Sequence, residues 1–215
     1  MGPAPYSRSV FLNCPFDPSY DSLLHALVFT VHDCGYVARC ALEIDDSSVA
    51  RMTKILQLIE ECQYGIHDLS RTEPDPVHSL PRFNMPLELG LFLAAKRFGS
   101  RRQREKRCLI FDREKYRYQK FCSDIAGQDV RAHGAQVRSA MIEVRNWLNG
   151  FLKKEGILVP SGSIVHERYE RFLVQLPEWC ERLNLDRDEL DFNDRTTLIA
   201  EWLKENSRVP PSATR

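Results

Sequence analysis

Short runs rich in β-formers alternate with helical patterns through the first half of this chain, and that rhythm limits the fold more than any other feature. Ser9–Asn13 reads as a buried strand stopped by Cys14-Pro15. Tyr20 to Cys34 carries Leu23, Leu24, Leu27, Val28 and Val31 at helical spacing, and Gly35 stands in the usual place after a helix end. Tyr36 to Leu42 is a second strand candidate. An acidic loop, Glu43 to Ser48, leads into a helix from Val49 to about Cys62, with Met52, Ile55, Leu56 and Ile59 on one face. Tyr64–Leu69 and Cys108–Phe111 are the third and fourth strand candidates, separated by an apolar helix from about Met85 to Arg97. Strand and helix alternating at these lengths predict an α/β fold: an open, mostly parallel, flavodoxin-like sheet flanked by helices.

The second half changes character. Tyr116 to Cys122 reads as a short helix and Asp129–Arg131 as a fifth strand candidate. Amphipathic patterns then run over Gln136–Lys154, Val165–Leu183 (with Pro177 as a point of kinking) and Thr196–Glu205. The division expected is a flexible N-terminus over 1–8, an α/β domain over 9–133, a helical C-terminal extension packed on it over 134–207, and a disordered tail over 208–215.

Charge and cysteine content exclude several function classes. Thirty Lys and Arg balance thirty Asp and Glu, so no global field draws nucleic acid or an acidic membrane. No apolar run spans a bilayer, and MGPAPYSRS lacks the apolar core of a signal peptide. The seven cysteines show no CxxC and no metal-type spacing with histidine. A cytoplasmic protein with reduced, mostly buried thiols is expected, with no metal and no resident cofactor. The basic patch RRQREK, Arg101 to Lys106, reads as a solvated loop before a strand, with phosphate or nucleic-acid binding as the sharper alternative. Neither GxGxxG nor a P-loop pattern occurs.

The chemistry concentrates where parallel strands end, since ligands bind beyond their carboxyl ends. The first strand delivers Asn13, Cys14, Pro15, Phe16 and Asp17 there. The third delivers Asp68, Ser70 and Arg71, and the helix after it begins at Asn84 and Met85 and carries Glu88. Glu88 is the one ionisable residue from Met85 to Ala95, and its face neighbours Leu91, Phe92 and Ala95 are apolar. A glutamate in such a helix is costly unless paired, hydrogen-bonded or used. The bland reading is that Asn84 caps the helix, Pro86 sits in the first turn and the Glu88 acid complements the helix dipole. Asp68 is equally readable as a turn start, Asn13 as a turn residue, and Cys14 as packing rather than a nucleophile without a neighbouring histidine. His67, inside an apolar run, reads as a satisfied core histidine rather than a ligand.

The order of these segments resembles a known superfamily. VFLNCPFDPSYDSLLHALVFTVHDCGY looks like the opening strand–helix of nucleoside 2-deoxyribosyltransferases. ILQLIEECQ followed by YGIHDLS is similar to their helix leading into a strand ending in aspartate, and FNMPLELGLFLAAKRFG resembles their helix with the catalytic glutamate. The same layout is shared by Toll/interleukin-receptor (TIR) domains that cleave NAD. The likeness spans about Ser9 to Phe111. The turn Asn13-Cys14-Pro15 departs from the family's Gly-Pro-Phe type, and the loop between Asp68 and Glu88 is longer and Pro-rich.

The resemblance implies an enzyme that cleaves an N-glycosidic bond in NAD or a nucleotide, a hydrolase or ribosyltransferase with Glu88 and Asp68 as catalytic residues. Asn13 to Asp17, Ser70, Arg71, Asn84 and Met85 would contact the substrate. It also implies a homo-oligomer and a bacterial defence setting. The alternative is a nucleotide-sensing or self-associating TIR-like module without turnover.

Overall fold

The computed structural model describes residues 4–74 and 79–206. The expected tail over 208–215 and His78 lie outside the described residues. Five strands form one all-parallel sheet: β1 (Ser9–Asn13), β2 (Val37–Arg39), β3 (Tyr64–Asp68), β4 (Arg107–Asp112) and β5 (Val130–Ala132). Their spatial order is β2-β1-β3-β4-β5, so the fold is an open flavodoxin-like α/β sheet. Among the described residues six α-helices flank it: α1 (Asp21–Asp33), α2 (Arg51–Glu61), α3 (Asn84–Phe98), α4 (Val137–Leu152), α5 (Gly162–Leu183) and α6 (Phe192–Asn206).

Strand alternation divides the core into two layers. Val10, Leu12, Ile66, Leu109 and Phe111 pack with α1, α4, α5 and α6 into the larger cluster, which includes Phe29, Phe172 and Trp202. Phe11 turns to the other face and meets Ile55, Leu58, Ile59 and Phe92 from α2 and α3. Ile110 joins Leu69, Met85 and Leu89 on that same side. The last two helices therefore complete the main core, because α1 would otherwise expose Phe29, whose ring packs on Tyr169, Phe172 and Trp202.

Glycine is required at two places. Gly35 takes φ +79° to end α1. Gly65 lies in β3 under the Phe92 ring, and a Cβ there would stand 2.9 Å from Phe92 Cε2 and 2.7 Å from His67 Nε2. Helix α5 runs on through Pro177 as one element.

The basic patch is less solvated than its composition suggests. Arg101 and Arg104 are exposed, but Lys106 is fully buried and Gln103 nearly so. The Lys106 ammonium donates to the carbonyls of Ile59 and Cys62 at the end of α2 and sits 4.4 Å from the Phe92 ring centroid. It caps the negative end of that helix from inside the core. Lys106→Met is expected to lower unfolding free energy by about 2 kcal/mol, because it keeps the aliphatic packing but strips the donors from two carbonyls. A urea melt with an unchanged midpoint would count against this capping role.

Candidate functional site

Register sets the strand ends side by side. Asn13 pairs with His67 across β1 and β3, Asp68 with Phe111 across β3 and β4, and Asp112 with Ala132 across β4 and β5. The strand order reverses between β1 and β3, the point where a crevice opens in such sheets. Asn13, Cys14 and Asp68 come together there, and α3 starts beside them.

Asn13 is a brace. Its Nδ2 donates to the Met85 carbonyl at 2.8 Å and lies 3.0 Å from His67 Nδ1, so one amide ties β1 to β3 and to the first turn of α3. His67 is fully buried, and burial with the nearby Lys106 charge pulls its imidazole down to about 3, so it is neutral. Its Nδ1 accepts from Asn13, but its Nε2 is buried without a hydrogen-bond partner among the described residues, so the ring is a core histidine that is only half satisfied.

The start of α3 differs from expectation. Phe83 occupies the cap position and no side chain caps the helix, and Asn84 is the first helical residue and exposed. No acid lies in the first turn. Glu88 is one turn further in, where the dipole of the helix end falls off, so capping does not explain it. Its side chain is nearly enclosed, at 6% exposure, and forms no hydrogen bond among the described residues. Burial pushes its carboxyl up to about 7, with the Arg51 charge at the start of α2 pulling the other way.

Asp68 has the opposite environment. It is fully enclosed, yet three neighbouring residues serve its ionised form. The Tyr20 hydroxyl donates to Oδ2, and the Ser70 amide donates to Oδ1 at 2.8 Å. His133 Nε2 stands 3.1 Å from Oδ2 and faces the carboxylate without full hydrogen-bond geometry. The Ala135 amide donates to His133 Nδ1 at 3.0 Å, which places the proton of a neutral ring on Nε2, toward Asp68. Ala135 holds φ +56° to offer that amide, a strained conformation for alanine. Burial raises the Asp68 carboxyl, but His133, Tyr20 and Ser70 outweigh it and hold the group below the usual carboxylate range.

Two carboxyl groups near the carboxyl ends of β1 and β3 thus have divergent proton affinities, which is how paired acids acquire different roles. Cys14 lies in the field of both. Burial first, then Asp68, push its thiol well above the ordinary value, so it is not a thiolate nucleophile. All seven cysteines are free.

The remaining candidates sort by exposure. Pro15, Ser70 and Met85 are buried, whereas Phe16, Asp17 and Arg71 are half-buried. Arg71 bonds Asp17 at 3.1 Å and also contacts Ser19, joining the loop after β1 to the loop after β3. The sequence assigns no site role to Tyr20, His133, Asp112 or Arg117. Asp112, like Asp68, ends a strand and is fully buried; Arg117 Nη2 pairs with it at 2.6 Å and donates to the Leu69 carbonyl at 2.9 Å. Among the described residues no group of three or more His, Cys, Asp or Glu side chains could hold a metal ion, and no helix is long and apolar enough to cross a membrane.

A well-formed cavity of about 550 Å³ lies on the β2 side, between α1, the loop after β2, α5 and α6. Its walls do not include Glu88; Arg51, whose charge Glu88 feels, lies on its rim.

Compared with known proteins, the chain matches no family model and no curated protein.

Proposed function

We propose that this protein cleaves the N-glycosidic bond of NAD or a related nucleotide, with Glu88 as the essential carboxylate. The observation that carries the reading is Glu88 itself: a nearly enclosed acid without a hydrogen-bond partner among the described residues, beside the carboxyl edge of a parallel sheet. A structural acid is normally paired, as Asp68 is.

In the reaction the C1′–N bond breaks and its electron pair leaves on the base nitrogen. With a pyridinium base that nitrogen is already positive, so no proton is needed for departure. Positive charge grows on the ribosyl C1′ and O4′. The ionised Glu88 stabilises it electrostatically, or adds to C1′ and is later displaced by water. Water then bonds to C1′ and loses a proton. Low polarity around Glu88 strengthens the attraction. Asn13 and the Asp68 network hold α3 and the strand ends in place without touching the substrate.

The working form of Glu88 is the carboxylate, so the rate is expected to rise with pH with a midpoint near 7. Arg51→Ala removes the charge that favours ionisation and moves the midpoint upward. A flat profile from pH 5 to 9 would sink this role. The direct test incubates the full chain with NAD and a nucleotide panel and measures released base. A nucleotide-dependent rise in melting temperature without any released base, surviving Glu88→Gln, would favour the non-catalytic sensing module instead.

A further inference from the structure

The cavity on the β2 side is built differently from a packing defect. Its floor is apolar: Leu24, Val28, Phe172, Leu176 and Ile199 are each nearly or fully buried yet line open space. Its volume of about 550 Å³ is in the range of small-molecule sites. Its rim carries three acids, Asp21, Asp45 and Asp191, and three permanent cations, Arg51, Lys54 and Arg195. Asp191 Oδ1 accepts the Asp194 amide at 2.8 Å, capping α6, and Asp21 faces Arg195 without forming an ion pair. Among the cations, Lys54 donates to the Ile44 carbonyl at 2.9 Å. Arg51 and Arg195 make no ion pair and no side-chain hydrogen bond among the described residues. His25 also lines the space without a hydrogen-bond partner among those residues. Burial, then the charge of Arg195, pull its imidazole down to about 4, so it is a neutral polar group.

We propose that this cavity is a second binding site, for an organic anion with an apolar body, which lies on the floor while Arg195 and Arg51 take the charged group. Guanidinium groups left unpaired beside an apolar wall suit a carboxylate or phosphate, and the partly enclosed setting strengthens that contact. The site exists only because α5 and α6 fold back against α1 and the loop after β2. Its lining does not include Glu88 but shares Arg51, the charge that favours Glu88 ionisation, so an anion held there pushes the Glu88 carboxyl further up.

The test titrates the full chain with the anionic dye 8-anilinonaphthalene-1-sulfonate and the neutral dye N-phenyl-1-naphthylamine, following fluorescence. Saturable one-to-one binding of both is expected. Arg195→Gln should weaken the anionic dye about tenfold, the loss of one charged hydrogen-bonding partner, and change the neutral dye less than about twofold. Arg195→Lys should retain the anionic dye within about threefold. Leu173→Trp, at a half-exposed wall position, should fill the cavity and weaken both dyes. Competition with dodecanoate and with adenosine monophosphate identifies the body: displacement by the first alone assigns an acyl chain, by the second alone a nucleotide. The proposal is overturned if Arg195→Gln leaves the anionic dye unchanged or weakens both dyes equally, if Leu173→Trp has no effect, or if neither competitor displaces the dye.

Discussion

Glu88→Gln is expected to abolish base release while making the protein more stable at pH 8. The two effects have one cause. Gln keeps the shape and packing of Glu88 but carries no charge. The substrate's developing positive charge then loses its counter-charge in a poorly solvated site, and the rate should fall by at least about 10³-fold. In the resting protein the same charge is a burden. Its proton affinity is raised in the fold, to about 7 from the ordinary 4.5, so the folded state holds more protons than the unfolded one between those values. Stability from this group is therefore complete below about pH 4.5 and is lost as pH rises through 7. Solvent that still reaches the carboxylate screens it, leaving about 1–2 kcal/mol for Gln to recover at pH 8. In a chain of this size that raises the melting temperature by a few degrees. At pH 4 the two proteins should melt together. Wild-type turnover in the variant would remove Glu88 from the chemistry, and equal melting at pH 8 would remove the burial argument beneath it. Gained stability with lost activity marks a residue kept for function rather than for the fold.

Glu88 was legible in the sequence because its signal is local. A single acid in an apolar helical stretch needs no knowledge of the rest of the fold. The strands at Ser9–Asn13, Tyr64–Asp68 and Arg107–Asp112 were legible for the same reason, being short runs of β-formers between breakers. What surrounds Asp68 was not legible. Tyr20, Ser70 and His133 reach it from three separate segments, and only the register of β1, β3, β4 and β5 brings them together. Lys106 misled the reading for a related reason. It follows five polar residues and reads as part of a solvated patch, but it is the last residue before β4 and is drawn inward with the strand. The structure sets the cap of α3 at Phe83, one residue before Asn84, so Glu88 lies beyond the first turn, without a hydrogen-bond partner among the described residues. The cavity is least legible of all, because His25 on α1 and Arg195 on α6 share a wall only through helix docking.

Asp68→Ala is expected to cost about 3–5 kcal/mol, the usual penalty for removing one member of a buried polar network. Two donors lose their acceptor at once, the Tyr20 hydroxyl and the Ser70 amide, and His133 Nε2 loses the carboxylate it faces. None can turn to water, since Asp68 is fully enclosed. The pH dependence follows from the sign of its shift. Asp68 binds its proton more weakly folded than unfolded, so its stabilisation is present above the ordinary carboxylate value near 4 and is lost as pH falls through its depressed one. Wild type and variant should differ fully at pH 6 and converge in acid. Tyr20→Phe removes one donor and should cost about 1–2 kcal/mol, and adding it to Asp68→Ala should cost less than that, because the hydroxyl is already orphaned. Strict additivity would mean the Tyr20–Asp68 bond carries no energy. Asp68→Asn separates scaffold from chemistry: it keeps the shape but sets an amide against the donors. A folded, wild-type-stable Asn variant without activity would place Asp68 in the reaction. Loss of stability and activity together, with the midpoint of the surviving pH–rate profile still near 7, is the result expected of a residue that holds the strand ends for Glu88.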